Sequence, residues 1–261
     1  MEKKERMALF ASSIFFFVSS IPAAHFSDSP NFTVVSSLFI VVMALPSYYH
    51  IIRWLGLRRG ATLLTVLSVL PIIVEAVAVS TGLPYGRFHY SKALGHMVLG
   101  LVPWSVAFAY LPILLGSVAL ANRLVGGVRI KFALSGGFLT MAVDLALDPA
   151  AVNQGLWIWE NPGPYYGIPL INFGGWFLTG FIYSTIFHLL SGGRNLIDDP
   201  VPLKVSSSLM LILSFWTGLL VWNRLLLPSI IGITLLGLQV ILLNNSADQI
   251  RTGEPPSTSD L

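Results

Sequence analysis

The sequence predicts an all-α, polytopic membrane protein in which about eight helices cross the bilayer as one bundle. Apolar residues make up 54% of the 261-residue chain and charged residues only 10%, which leaves too little polar surface to cover a water-soluble domain of this length. The mean hydropathy is +0.75. The apolar residues also fall into separate long runs, each near the roughly 20 residues that cross about 30 Å of hydrocarbon as a helix.

Eight such runs follow one another along the chain. They are residues 7–26, 32–50, 61–80, 97–121, 132–149, 168–190, 205–223 and 225–243. Only Asn223 and Arg224 separate the last two runs, and a single helix kinked at Pro228 would leave seven spans instead of eight. We expect eight, with residues 1–245 forming one membrane domain and the polar, Pro- and Ser-rich residues 246–261 forming a disordered tail.

The basic residues predict the orientation of these helices. With both termini cytoplasmic, twelve Lys and Arg residues lie on the cytoplasmic side and only Arg87, Lys92 and Arg224 lie outside. The first run has no clear small-x-small cleavage site, so we interpret it as a span and not as a signal peptide. The basic residues form no continuous patch, which argues against nucleic acid as a partner. The absence of cysteine excludes disulfides, thiolate metal sites and thiol nucleophiles.

Three carboxyl groups fall inside the predicted spans, where ionisable groups are costly and therefore often functional. Glu75 belongs to the third span. Asp144 and Asp148 lie four residues apart in the fifth, on one face of a helix that Pro149 should soon end. All three lie in the outer half of their spans. Two carboxylates on one face repel each other unless they share a proton, bind a cation or meet a basic residue such as Arg87.

Two polar, aromatic loops are predicted on the same outer side, at residues 81–96 and 150–168. With the start of the sixth span they supply the other candidates for one outward-facing site. These candidates are Arg87, His89, Tyr90, Trp157, Trp159, Glu160, Tyr165, Tyr166, Asn172 and Trp176. Interfacial Trp and Tyr are also ordinary headgroup anchors, so a structural role for each aromatic residue stays open. The five histidines form no ligand pattern, and we predict no metal and no other cofactor.

Three stretches of the sequence resemble a known family. They are TGLPYGRFHYSKALG at 81–95, MAVDLALDP at 141–149 and GLWIWENPGPYYGIPLINFGGWFLTG at 155–180. These stretches are similar to the CruF-type carotenoid hydratases, which include the bisanhydrobacterioruberin hydratases of archaea. The resemblance implies an enzyme of carotenoid biosynthesis in the cell membrane that adds water to terminal C=C bonds of a long acyclic carotenoid and yields tertiary alcohols. The partners it implies are the lipophilic carotenoid, the lipid bilayer and other membrane enzymes of the same pathway.

The chemistry that the resemblance implies fits the candidate residues. Alkene hydration begins with protonation to a tertiary carbocation and ends with capture by water. A carboxyl group that lies in hydrocarbon beside a second carboxyl can keep its proton at neutral pH. One of Asp144 and Asp148 could therefore be the acid, with Asp148 preferred, while the other orients water. Glu75 is an equally legitimate acid if the third and fifth spans pack together.

Alternative functions stay open from the sequence alone. A carotenoid end-group cyclase begins with the same protonation but leaves the product mass unchanged. A membrane prenyltransferase could bind diphosphate through a divalent cation at Asp144 and Asp148, but the only other acidic pair, Asp198 and Asp199, is predicted to be cytoplasmic. A non-enzymatic carotenoid-binding or transport protein is the third alternative, although no inverted repeat is evident.

Overall fold

A computed structural model of the protein describes residues 3–25, 32–91, 94–192 and 194–252. Within these ranges the chain forms eight α-helices, and all eight include a segment long and apolar enough to cross a membrane. The helices are α1 (Lys3–His25), α2 (Phe32–Leu55), α3 (Leu57–Thr81), α4 (Val106–Val125), α5 (Arg129–Asn153), α6 (Leu170–Leu190), α7 (Ser207–Trp222) and α8 (Leu226–Thr252). The predicted all-α polytopic bundle with eight spans is confirmed.

Residues that disfavour a continuous helix lie near the ends of several helices. The chain turns between α7 and α8 at Arg224, whose φ is 57°, and Pro228 lies in the first turn of α8, where a missing N–H costs no helical hydrogen bond. Pro149 lies in the last turn of α5, which ends at Asn153. Helix α8 continues to Thr252, and residues 253–261 of the predicted tail lie outside the described residues.

The start of the predicted fourth span is wrong. Residues 97–105 precede α4 and contain two short antiparallel strands, β2 (Met97–Val98) and β3 (Val102–Pro103). Gly100 has a φ of 71° in the turn between them, which a helix does not allow. Hydropathy alone could not separate this apolar turn from the helix that follows it.

A second two-stranded sheet joins the two connections at one end of the bundle. Strand β1 (Phe88–Tyr90) lies in the connection between α3 and α4, and β4 (Trp157–Trp159) lies in the connection between α5 and α6. The two strands pair antiparallel. We call the end of the bundle that carries these connections the loop end, and the end that carries the start of α1 the opposite end.

Helices α4 and α7 lie at the centre of the bundle. In the most hydrophobic membrane-spanning stretch of each helix, 72% of the residues are buried for α4 and 78% for α7. The corresponding values for α1, α2, α3 and α8 are 22–28%. Helices α5 and α6 approach each other closely because glycines face the contact. A Cβ added at Gly137 of α5 would come within 2.8 Å of the carbonyl oxygen of Phe177 in α6. This close approach brings the polar side chains of α5 and α6 within reach of each other.

Candidate active site

Three buried carboxyl groups lie near the loop end of the bundle. Glu75 precedes the last residue of α3 by six positions and Asp148 precedes that of α5 by five, so both lie about 7–9 Å inside the helix ends at 1.5 Å per residue. Asp144 is fully buried, and Asp148 and Glu75 are 2% and 6% exposed. Glu75 interacts electrostatically with Asp148. The structure therefore brings the three predicted carboxyl groups into one cluster.

Asn172 in the first turn of α6 links the two carboxyl groups of α5. Its Nδ2 donates to Oδ2 of Asp144 at 2.8 Å and to Oδ2 of Asp148 at 2.6 Å. Asp144 and Asp148 also interact electrostatically with each other. Two buried carboxyl groups on one helix face repel each other when both are ionised, so the pair is suited to share a single proton.

Glu75 has a different partner, the Tyr90 hydroxyl of β1, which donates to Oε2 of Glu75 at 3.0 Å. Burial and the neighbouring Glu75 carboxyl raise the pKa of Tyr90 well above its usual value. Tyr90 therefore stays a neutral hydrogen-bond donor at physiological pH. It ties the sheet at the loop end to the carboxyl group of α3.

A cavity of about 160 Å³ opens beside Glu75. Its wall is mostly apolar, and around Glu75 it contains the aromatic side chains of Tyr90, Tyr110, Trp157 and Trp176. The rings of Tyr110 and Trp176 stack at a centroid distance of 5.0 Å, and those of Tyr90 and Trp157 meet edge to face at 6.0 Å. The cavity thus combines a carboxyl group with aromatic faces in an otherwise apolar space.

Asp144 and Asp148 are not among the described residues that line this cavity. They lie behind its wall, where Trp157 is a neighbour of Asp148. The carboxyl group that reaches the cavity is that of Glu75. The sequence could not distinguish these positions, because the rotation of each helix about its axis decides which carboxyl faces inward.

The pairing of β1 with β4 turns some of the other predicted site residues toward the bundle and others away from it. Successive side chains of a strand point to opposite faces, so Tyr90 and its partner Trp157 face the bundle while His89 is directed away from it. Arg87 and Glu160 are also exposed, and the bond between them joins backbone groups, from the Glu160 N–H to the Arg87 carbonyl oxygen at 3.0 Å. The structure does not bring Arg87, His89 or Glu160 to the carboxyl cluster.

The remaining aromatic candidates hold the connection between α5 and α6 in place. The Tyr165 hydroxyl donates to the carbonyl oxygen of Leu145 at 2.8 Å, and burial raises the pKa of Tyr165 to about 12. Tyr166 packs on Tyr165 and is 38% exposed, while Trp159 is buried against Phe88. None of these three aromatic residues is among the described residues of the cavity wall.

A network of hydroxyl groups next to the cavity was not predicted from the sequence. The hydroxyls of Tyr85 and Tyr110 lie 3.2 and 3.3 Å from Oγ1 of Thr179, which donates to the carbonyl oxygen of Gly175 at 2.9 Å. The network fixes the ring of Tyr110 against Trp176. The available sequence signal was Tyr110 itself, a polar aromatic residue inside the apolar run of the fourth span.

Two observations bear on metal and diphosphate binding. Among the described residues, no group of three or more His, Asp and Glu side chains could hold a metal ion. Asp198 and Asp199 lie in the connection before α7, at the opposite end of the bundle, where Asp199 forms an ion pair with Arg194. The two acidic pairs that a diphosphate site would combine are therefore at different ends.

Comparison with known proteins gives a consistent result. A family model described as carotenoid biosynthesis protein matches residues 31–239. A bisanhydrobacterioruberin hydratase of Haloarcula japonica is 38% identical over 152 residues, which cover 56% of this chain and 50% of that protein. The chain thus spans about half the length of this curated relative. No solved structure matches.

Proposed function

The chain belongs to the carotenoid biosynthesis protein family, and from this membership we propose that it is a carotenoid hydratase. The match confirms the family resemblance seen in the sequence. The proposed enzyme is a hydro-lyase that adds water to terminal isoprenoid C=C bonds of a long acyclic carotenoid. The observation that carries this proposal is the Glu75 carboxyl group in an aromatic, otherwise apolar cavity within a membrane bundle.

The cavity suits the end of an isoprenoid chain. Its volume of about 160 Å³ is below the roughly 300–1,000 Å³ of pockets that enclose a whole drug-sized ligand. A long carotenoid would place only an end group beside Glu75 and leave the rest of its chain among the helices and lipid. The apolar wall favours a hydrocarbon over a phosphorylated or sugar-bearing substrate.

Glu75 is the proposed acid. With Tyr90 donating to Oε2, Oε1 of Glu75 is available to carry the proton that faces the substrate. Transfer of this proton to the less substituted alkene carbon breaks the π bond and leaves a tertiary carbocation and a Glu75 carboxylate. A positioned acid of this kind contributes about 10²- to 10⁴-fold to a rate.

The aromatic wall is proposed to stabilise the carbocation. A cation over the face of an aromatic ring gains roughly 0.5–2 kcal/mol, and Tyr110, Trp157 and Trp176 surround the space beside Glu75. Because Trp176 stacks on Tyr110 and the Thr179 hydroxyl holds Tyr110, these rings need no rearrangement when charge develops.

Water addition completes the reaction. Water forms a C–O bond with the cation, and the proton that it loses returns to the carboxyl cluster, so the net change is the addition of one H₂O to the alkene. Ser105 and Gln154 supply polar groups on the cavity wall near the connections and are proposed to hold this water. The shared proton of Asp144 and Asp148 is proposed to restore the acid form of Glu75. No step needs a metal, nucleotide or redox cofactor.

We propose that the loop end faces outside the cell. Arg58 and Arg59 at the start of α3, Arg123 near the end of α4 and Arg129 at the start of α5 all lie at the opposite end, which the positive-inside rule assigns to the cytoplasm. Both ends of the chain are then cytoplasmic, and water reaches the site from the outer face. Other membrane enzymes of the carotenoid pathway are the proposed partners for substrate supply.

The test is mass spectrometry of carotenoids from a host that makes an acyclic substrate with free isopropylidene ends. Expression of this chain should add one or two waters to the substrate mass. The Glu75→Gln variant should abolish the gain and Asp148→Asn should reduce it, at equal protein levels in the membrane. An unchanged mass with altered retention indicates a cyclase, and unchanged carotenoids with this chain present contradict the hydratase assignment.

A further inference from the structure

The cavity has a second part that proton transfer does not use. Away from Glu75, its wall comes from α2 and α7, with Phe39 and Met43 on α2 and Ile212, Phe215 and Trp216 on α7. We call this part the apolar arm. We propose that the apolar arm binds the conjugated chain of an acyclic carotenoid and guides its end from the middle of the bilayer to Glu75. This inference rests on the proposed function, since it concerns the same substrate.

The position of the arm along the helices supports this role. Met43 lies eleven residues from the start of α2, and Ile212 lies ten residues from the end of α7. At 1.5 Å per residue both residues lie about 15–17 Å from the loop end of their helices, close to the midplane of a hydrocarbon core about 30 Å thick. Glu75 lies about 9 Å from the end of α3 by the same measure. The arm therefore connects the depth of the Glu75 carboxyl group with the middle of the bilayer, where carotenoid chains are dissolved.

The chemistry of the arm suits a flat, unsaturated chain. Phe39 and Phe215 meet edge to face with centroids 5.8 Å apart, and Phe215 and Trp216 do so at 5.8 Å. Phe39 also contacts Phe16 of α1 at 4.8 Å. Aromatic edges and faces make favourable contacts with π systems, whereas the side chains named here offer no carboxyl, hydroxyl or amide group to a polar head. A conjugated hydrocarbon fits this wall better than a lipid headgroup.

This arrangement also fixes the direction of the substrate. The end group lies beside Glu75 near the loop end, and the chain runs along α2 and α7 toward the centre of the membrane. The far half of an extended carotenoid then continues into the other leaflet. The arm thus selects for a straight, extended chain behind the reacting end.

The test measures binding without catalysis, using the Glu75→Gln protein purified from carotenoid-producing membranes. Met43→Trp in this background should lower the co-purified carotenoid, measured by its visible absorption per protein, by about tenfold or more because an indole fills a closely packed space. The matched control is Val42→Trp on the same helix, because Val42 is 53% exposed on the surface of the bundle. The control should retain the carotenoid.

A second variant separates loss of binding from loss of folding. Ile212→Trp fills the arm from α7 and should lower the bound carotenoid in the same way while the protein still elutes as a single detergent-solubilised species. Retention of carotenoid by both arm variants at the control level overturns the inference, as does absence of bound carotenoid from Glu75→Gln protein itself. If carotenoid binds through the arm but the unmodified chain adds no water, the arm is supported and the hydratase proposal fails.

Discussion

Buried polar side chains occur at both ends of the bundle, but they differ in kind. At the opposite end they are neutral and bond to backbone groups: Nε2 of Gln239 donates to the Ser206 carbonyl oxygen at 2.6 Å, and Nδ2 of Asn122 donates to that of Leu196 at 3.2 Å. At the loop end the buried groups include three carboxyls: Asp144 and Asp148 accept from the same Asn172 side chain, and Glu75 lines a cavity. Neutral groups paired with backbone hold helices together, whereas ionisable groups beside a cavity are available for chemistry.

This difference between the two ends predicts that a change at Glu75 has the largest effect on activity. Glu75→Gln keeps the size and the acceptor for Tyr90 but removes the transferable proton, so water addition should fall about 10²- to 10⁴-fold. The measurement is the mass gain of the carotenoid in membranes with equal amounts of protein. Glu160→Gln is the matched control, since Glu160 is an exposed carboxyl at the same end and its change should leave the product unchanged. Near-normal product from Glu75→Gln would rule out Glu75 as the acid.

A smaller loss of activity is expected for Asn172→Ala. This change removes both amide hydrogen bonds from Asp144 and Asp148, and a loss of about 1.4–2.7 kcal/mol corresponds to a turnover about 10- to 100-fold lower. The pH profile of hydration should also shift, because the two carboxyls lose the donor that fixes their geometry. Asn153→Ala at the exposed end of α5 is the control for both readouts. An unshifted pH profile with normal turnover would contradict a positioning role for Asn172.

At the opposite end, a change should affect stability and not chemistry. Gln239→Leu removes the bonds to the backbone and hydroxyl of Ser206 and leaves buried acceptors unpaired, at a cost of about 1–3 kcal/mol. Thermal unfolding in detergent should show a lower midpoint, while product per folded protein stays the same. Thr234→Ala on the exposed face of α8 should change neither quantity. A loss of turnover per folded Gln239→Leu protein would remove the distinction between the two ends.

The smallest effect is expected at Tyr90. Tyr90→Phe removes a single hydrogen bond to Glu75, worth about 0.5–1.5 kcal/mol, so turnover should fall about 2- to 10-fold. Because burial and Glu75 raise the pKa of Tyr90 well above its usual value, the hydroxyl is neutral across the working range. The measurement is the mass gain of the carotenoid at equal amounts of protein in the membrane. A mass gain equal to that of the unmodified chain would contradict a role for this hydrogen bond in the reaction.

Local sequence rules predicted the bundle and part of the site. Each span needs about 20 apolar residues, so hydropathy found eight helices, and it erred at residues 97–105 because an apolar hairpin has the same composition as a helix. The spacing of Asp144 and Asp148 placed them on one helix face, and the structure adds Asn172 as their common partner.

Tertiary geometry decided the rest. Arg87 and His89 stand beside Tyr90 in the sequence, but strand pairing exposes both of them and turns Tyr90 inward. Tyr110 joins the cavity because α4 packs against α6, and the contact with Trp176 spans 66 positions of sequence. Such pairings depend on the rotation of each helix and the register of each strand, which neither composition nor periodicity determines.

The sheet of β1 and β4 also has a consequence for how the protein is made. Strand β1 precedes α4 and β4 follows α5, so the ribosome must synthesise both intervening helices before the strands can pair. Tyr90 and Trp157 then close over Glu75 only after most of the chain has entered the membrane. A nascent chain that is still being inserted therefore carries no sealed acid pocket, and the pocket closes only after β4 has been made.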